Sequence, residues 1–351
     1  MMLTDNPARL MIIMPSWVGD VVMATPALRL LHAHYPSAEI TAALRPGLAP
    51  LLGGLEDVHA CIEIQPKGLI GPWQAGRAMA STRPDAVILL PNSIRSALAA
   101  RLSGTSVRIG FSRQGRARLL TEAVPPPSTE TVHTTLNDYL ALAMAITGDT
   151  ELDDRQPRLA VTESDTRAAT AAMALDDGPF VVLVPGANRT DKRWPTANFT
   201  QIAERLAHDH GLRVAIAGSP TEQPLVETIL QSANCEIIDL ASARPGLGGL
   251  KAILQAASLV ITNDTGPRHI AAALGTPIVS LFGPTDHRWT VLPGIVERRM
   301  LAEPFLPESM IANRCPSVCR IDRITVQDVH AAAAALLSEE AEATSPMQPA
   351  P

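Results

Sequence analysis

The stretch "MIIMPSWVGDVVMATPALRLL" (Met11–Leu31) decides the fold. An apolar run stops at Pro15, a turn carries Trp17, Gly19 and Asp20, and an apolar pattern of helical spacing then begins. A short run that is almost continuously apolar fits a strand covered by helices on both faces, the environment of a parallel sheet. The same rhythm recurs along the chain. Strands are predicted at 9–15, 39–44, 59–64, 85–91 and 107–111, alternating with helical patterns near 21–34, 46–53, 70–82 and 94–103, and a further helix falls near 135–146. In the second half, strands at 180–185, 212–218, 236–240, 259–263 and 278–282 alternate with helices near 196–210, 221–232, 247–257 and 266–274. An amphipathic helical pattern closes the half near 326–340. The polar segment "GDTELDDRQPRLAVTESD" (148–165) reads as the linker. The fold class predicted is therefore α/β: two doubly wound, Rossmann-like domains, residues 1–160 and 161–340, facing a central cleft. The tail 341–351 is expected to be disordered.

Composition narrows the function. The chain has 351 residues, is 46% hydrophobic and 18% charged, and carries a net charge of −6. That balance argues against a general nucleic-acid binder. No apolar run reaches the length of a membrane span, and the N-terminus lacks the pattern of a signal peptide, so membrane contact is expected to be peripheral. Of four cysteines, Cys61 and Cys235 lie in apparent apolar strands and read as small core residues. Cys315 and Cys319 lack the second pair or nearby histidines that a metal knuckle needs. With no disulfide framework implied, a reducing compartment is expected.

In doubly wound sheets, ligands bind outside the carboxyl ends of the strands. Four such turns here carry polar residues: "PSWVGD" (15–20), "PGANRTDKRWP" (185–195), "AGSPTE" (217–222) and "TNDTGPRH" (262–269). The last is the most informative. Asp264 or Thr265 fits a helix cap, Gly266 lets a ligand approach the backbone, and free N–H groups with the helix dipole suit a diphosphate. His269 follows one turn later. Lys192, on another strand end of the same half, is a point charge for phosphate. Glu222 fits ribose hydroxyls or, equally, a helix N-terminal acid. Asp20 fits a general base or a cap for the helix that follows it. The chain lacks GxGxxG, GxxxxGK[ST] and GxSxG, and lacks the Asp-x-Asp pair of metal-dependent sugar-nucleotide enzymes.

These turns, with "LLPNSIRSAL" (89–98) and "TNDTGPRHIAAALGTPIVSLFGPT" (262–285), resemble glycosyltransferase family 9, in order and in both halves, from about residue 10 to about residue 330. The resemblance implies a GT-B fold and inverting transfer of L-glycero-D-manno-heptose from ADP-heptose to the inner core of lipopolysaccharide. It makes Asp20 the catalytic carboxylate, Lys192 the lysine that contacts phosphate, Glu222 the nucleotide-side acid, and Asp264, Thr265 and Gly266 the diphosphate loop, with His269 following. Asn188 stands where some relatives carry a hydroxyl residue, and is kept as a donor-side contact. Trp17, Gly19 and Asn92 are the acceptor-side candidates. Arg113, Arg116 and Arg118, in the basic stretch "RLSGTSVRIGFSRQGRARLL" (101–120), are expected to meet the carboxylates and phosphates of a lipid A–Kdo core acceptor. Several such contacts would hold the protein at the cytoplasmic face of the inner membrane. No cofactor and no metal are expected. Another core position, another nucleotide sugar, or a catalytically silent nucleotide-sugar-binding protein all stay open at this point.

Overall fold

The computed structural model describes residues 3, 6–128, 132–175, 177–307, 309–315 and 317–344, with side chains as far as 339. The chain forms two compact units, Met1–Ala160 with Arg288–Gly294, and Val161–His287 with Ile295–Pro351. The short segment 288–294 thus belongs with the first unit, although the sequence pattern places it in the second.

The first unit is built on β1 (Arg9–Ile13), β2 (Glu39–Leu44), β3 (Ala60–Glu63), β4 (Ala86–Leu89), β5 (Val107–Phe111) and β6 (Glu122–Val124). All neighbours are parallel, in the order β3-β2-β1-β4-β5-β6. Around it lie α1 (Val18–Met23), α2 (Thr25–His34), α3 (Ala49–Leu52), α4 (Gly71–Ala80), α5 (Ile94–Leu102) and α6 (Thr135–Thr147). One helix was expected over 21–34, and two occur. Pro26 has no N–H to offer the Val22 carbonyl, and the Thr25 hydroxyl donates to that carbonyl at 2.9 Å instead. Cys61 lies exposed in β3 rather than in the core, Cys235 is half-buried, Cys319 is buried, and all four cysteines are free.

The second unit repeats this plan. Its elements are α7 (Glu163–Ala172), β7 (Phe180–Val184), α8 (Thr196–His210), β8 (Arg213–Ile216), α9 (Gln223–Ser232), β9 (Ile237–Asp239), α10 (Leu240–Ala243), α11 (Gly246–Ala256), β10 (Leu259–Asn263), α12 (Gly266–Leu274), β11 (Ile278–Phe282), β12 (Glu297–Leu301) and α13 (Val326–Thr344). The sheet order is β12-β11-β10-β7-β8-β9, again parallel throughout. Counted from its own first strand, that is the order of the first unit. The chain therefore changes direction between β1 and β4 in one unit and between β7 and β10 in the other. The expected disordered tail is helical as far as Thr344, and residues 345–351 lie outside the described residues.

The end of the expected linker is already helix. Thr162 caps α7 in a capping box, its hydroxyl accepting from the Asp165 N–H while the Asp165 carboxylate accepts from the Thr162 N–H at 3.0 Å. The same carboxylate sits 3.0 Å from the ammonium of Lys251, a fully buried residue of α11. Removing one member of a buried pair takes from the other charge the partner that offsets its desolvation. Asp165→Ala is expected to lower the unfolding free energy by about 3 kcal/mol. Thr162→Ala, which deletes the cap bond and the hydroxyl's contact with Ser164 but keeps the Asp165–Lys251 pair, is expected to lower it by about 1 kcal/mol. Urea denaturation followed by circular dichroism measures both.

Candidate active site

In the first unit the crevice at the β1/β4 switch point holds a cavity of about 250 Å³, lined by Trp17, Asp20, Asn92, Phe111, Asp138 and Tyr139 among others. Asp20 is the third residue of α1, whose N-cap is Trp17 with no side-chain cap bond. Capping is therefore not its role. Among the described residues its carboxylate has no hydrogen-bond or ion-pair partner, and burial alone pushes its pKa up from 3.8 to about 6. Burial likewise lifts the Tyr139 phenol well above its ordinary value, and the charges of Asp20 and Asp138 push it further the same way. Trp17 is 60% exposed at the cavity wall. Gly19 is helical with φ outside the left-handed region, so the backbone does not demand glycine there.

The arginine stretch divides. Arg113 lies against the cavity wall, its Nη1 3.7 Å from Asp138 and its guanidinium 5.9 Å from the Phe111 ring centroid. Its Nη2 is buried without a partner. Arg118 is exposed. Arg116 corrects the expectation of an acceptor contact. It is fully buried, and its guanidinium donates to the Phe111 carbonyl at 2.9 Å, to the Pro91 carbonyl, and to Asn92 Oδ1 at 3.2 Å. Gly110 makes the room, since a Cβ there would lie 3.1 Å from Arg116 Nη2. Arg116 is a brace across the ends of β4 and β5 that fixes Asn92 at the cavity. Burial lowers its pKa to about 10.

In the second unit the β7/β10 switch point is tied together by Asn263. This fully buried residue closes β10. Its amide donates to the Pro185 carbonyl at 2.8 Å, and its Oδ1 accepts the Trp194 N–H at 3.2 Å. Trp194 is buried in the core and donates through Nε1 to the Ile324 carbonyl at 2.9 Å. Arg193 closes the same loop onto the Ala187 carbonyl at 2.8 Å. "KRWP" is thus an anchored loop, and it delivers Lys192 to Asp264, Nζ to Oδ2 2.8 Å.

Thr285 donates to the same Asp264 oxygen at 3.2 Å. Burial would raise the Asp264 pKa, but the charges of Lys192 and Arg268 outweigh it and hold the carboxyl below its ordinary range. The expected cap at Asp264 or Thr265 is not made: Thr265 is the N-cap of α12 and gives no side-chain bond, which leaves the positive end of the helix open to an anion. His269 is buried, with its pKa pushed down to about 3 by burial and by the neighbouring Arg268, and its Nδ1 has no partner. Glu222 forms a capping box with Ser219, Oε2 accepting from the Ser219 N–H at 2.8 Å. Its other oxygen lies against Gly186, where a Cβ would approach to 2.1 Å. The helix-acid role is therefore real, and it also places the carboxylate beside the end of β7. Asn188 is exposed on the Lys192 loop.

Trp17, Asp20 and Asn92 thus meet at the switch point of the first unit, and Lys192 and Asp264 at that of the second, while Arg118 and Asn188 are only exposed nearby in sequence. Asp138, Tyr139 and Asn263 belong to these groups and were not singled out. Their signal is a polar pair opening the apolar α6 and an amide ending an otherwise apolar strand.

Two parallel sheets of this order in one chain, each with polar side chains at its switch point, are the architecture of the GT-B fold of glycosyltransferases. The chain belongs to glycosyltransferase family 9 (heptosyltransferase), whose model matches residues 73–300. It is 29% identical to lipopolysaccharide heptosyltransferase 2 of Escherichia coli over 80% of this chain and 84% of that protein. It is 30% identical to lipooligosaccharide heptosyltransferase 2 of Haemophilus influenzae over 80% and 85%. The solved structure of E. coli ADP-heptose lps heptosyltransferase II superposes with a TM-score of 0.81 at 28% identity, covering 95% of this chain and 99% of that one.

The raised pKa of Asp20 has a consequence for stability. The unfolded carboxyl ionises near 3.8 and the folded one near 6, so ionisation costs folding free energy that accrues between those pH values and is constant above them. Asp20→Asn removes that cost. It is expected to raise stability above about pH 6, on the order of 1–2 kcal/mol, with the gain vanishing below about pH 4. Thermal melts at pH 8 and pH 4 test this.

Proposed function

We propose that this chain is an inverting transferase of the heptosyltransferase II type, moving L-glycero-D-manno-heptose from ADP-heptose to the inner core of lipopolysaccharide. The observation that carries the reading is Asp20, an unbonded, desolvated carboxylate in the switch-point cavity of the first unit. The heptosyltransferase 2 relatives support the choice of donor and acceptor. Asp20 takes the proton from the acceptor hydroxyl as its oxygen forms the new bond to the anomeric carbon. The bond from that carbon to the diphosphate oxygen breaks, and ADP leaves with the electron pair. Lys192 and the open N-terminus of α12 stabilise the charge that builds on ADP, and Glu222 and Asn188 lie on the donor side. The Asp264 carboxylate holds Lys192 by their ion pair, and the neutral His269 follows on α12 on the donor side.

Arg113 and Arg118 meet the anionic groups of a lipid A–Kdo acceptor, with Trp17 and Asn92 at the cavity and Gly19 in the helical turn beside it. The protein works in the cytoplasm, in peripheral contact with the inner membrane. Four free cysteines support a reducing compartment. Among the described residues no helix is long and apolar enough to cross a membrane.

The deciding experiment incubates the protein with ADP-heptose and a core acceptor that already bears one heptose, with mass spectrometry of the product. Addition of one heptose supports the reading. Turnover only on a heptose-free acceptor points to a different core position, and binding without turnover points to a silent binder. Asp20→Asn is expected to lower kcat at least about 10²-fold with little change in ADP-heptose affinity. In the wild type, kcat/KM is expected to fall with unit slope as the pH drops below about 6, because a protonated Asp20 accepts nothing.

The donor site supplies its own cations, so activity is expected to survive EDTA. A rate that collapses in chelator and returns with Mg²⁺ would contradict the proposed roles of Lys192 and α12.

A further inference from the structure

Of the large apolar side chains that stand in solvent on the first unit, six lie on two neighbouring helices: Leu69, Ile70 and Trp73 around the start of α4, and Ile94, Leu98 and Leu102 along α5. Such residues scattered singly need no explanation, but a contiguous group marks a binding surface. These six are contiguous. Ile94, Leu98 and Leu102 recur every four residues and form one stripe of α5, while Ala97 and Ala100 on its other side join the core. The two helices meet at Gly76, where a Cβ would lie 2.8 Å from Leu102 Cβ and 2.9 Å from the Ala99 carbonyl. Trp73 is one turn away on α4.

Leu69 and Ile70 are held outward by a built turn. Gly68 adopts φ +75°, the Lys67 N–H donates to the Gln65 carbonyl at 2.8 Å, and Gly71 packs so closely on that carbonyl that a Cβ would sit 2.8 Å from it.

The segment that carries this surface is strongly basic. Between Gln65 and Leu120 the sequence holds nine Lys and Arg against a single acid, Asp85, in a chain of net charge −6. Asp85 is engaged elsewhere, accepting the Ala8 and Arg9 N–H groups at 2.9 Å. Lys67, Arg77, Arg95, Arg101 and Arg118 are exposed, and the Arg77 guanidinium lies 5.9 Å from the Trp73 ring centroid. Tryptophan and aliphatic side chains enter the headgroup region of a bilayer, and surrounding cations meet its phosphates.

The position also fits. Asn92 lines the Asp20 cavity, Ser93 caps α5, and Ile94 begins the apolar stripe, so the stripe starts at the rim of that cavity.

We infer that the α4–α5 face is the docking surface for an anionic phospholipid membrane. The inference rests on the proposed function only in giving the lipid-anchored acceptor a reason to be met there. It assigns the peripheral contact to an apolar face ringed by cations, rather than to the loop arginines alone.

Vesicle sedimentation tests it, with vesicles of phosphatidylglycerol and phosphatidylethanolamine against pure phosphatidylcholine. The wild type is expected to sediment with the anionic vesicles and not with the neutral ones. The variants Leu69→Ser/Ile70→Ser/Trp73→Ser and Arg77→Ala/Arg95→Ala/Arg101→Ala are each expected to bind about tenfold more weakly or worse. Binding of the wild type is expected to weaken in high salt. Both variants should keep the wild-type melting profile and the wild-type rate on a delipidated core acceptor. Wild-type protein that ignores anionic vesicles, or variants that bind them normally, would overturn the assignment. So would a dimer that the apolar variant dissociates, since the face would then belong to a second copy. Vesicle binding without transfer to the soluble acceptor would count against the proposed reaction and leave the docking surface standing.

Discussion

The second unit depends on one buried amide. Parallel strands that end together leave carbonyls at their carboxyl edge with no strand partner, and a buried carbonyl without a donor is costly. At β7 that donor is Asn263, which reaches from the end of β10 to the Pro185 carbonyl and accepts the Trp194 N–H in return. The bonds join three segments: the switch-point strands and the loop that carries Lys192. The first unit solves the same problem with a different side chain. Arg116 donates to the carbonyls of Pro91 and Phe111 and to Asn92, and so fixes the ends of β4 and β5. In each unit a buried residue thus sets the geometry of the side chains at the switch point.

This division explains what could be read from the sequence. The central strands were legible because burial on both faces makes them continuously apolar, and β2, β5, β10 and β11 fall at their predicted residues. The edge strands β6 and β12 were not. "EAV" and "ERRML" are short edge strands that carry charges and bury at most one whole residue each, so hydrophobic periodicity has nothing to register. The helix α7 was missed altogether, because it opens in the polar stretch read as linker and its N-terminus is marked mainly by the Thr162–Asp165 capping box. At the sites, Asp20, Lys192 and Asp264 announced themselves as charges at strand ends. Asn263 and Arg116 look the same in sequence as a polar turn residue and a basic loop residue. Their role comes from burial, which is a property of the folded neighbourhood. The arginine stretch illustrates this: one composition yields a brace at 116, a cavity wall at 113 and an exposed cation at 118.

Two carboxylates then acquire opposite chemistry from their surroundings. Asp20 is desolvated without a compensating cation, so its proton affinity rises into the range useful to a base near neutral pH. Asp264 is more deeply buried, yet Lys192 and Arg268 hold it ionised. Had the lysine stood beside Asp20 instead, that carboxylate would be a weaker base and better paired, and the diphosphate side would lack its cation. The arrangement keeps the uncompensated charge in the first unit and the compensated one in the second. This matches the needs of a displacement in which a proton is taken from one substrate while negative charge builds on the other. In the proposed reaction the instability carried by Asp20 is therefore a condition of its role as base: any residue that relieved it by donating a hydrogen bond or a positive charge would lower its basicity by the same free energy.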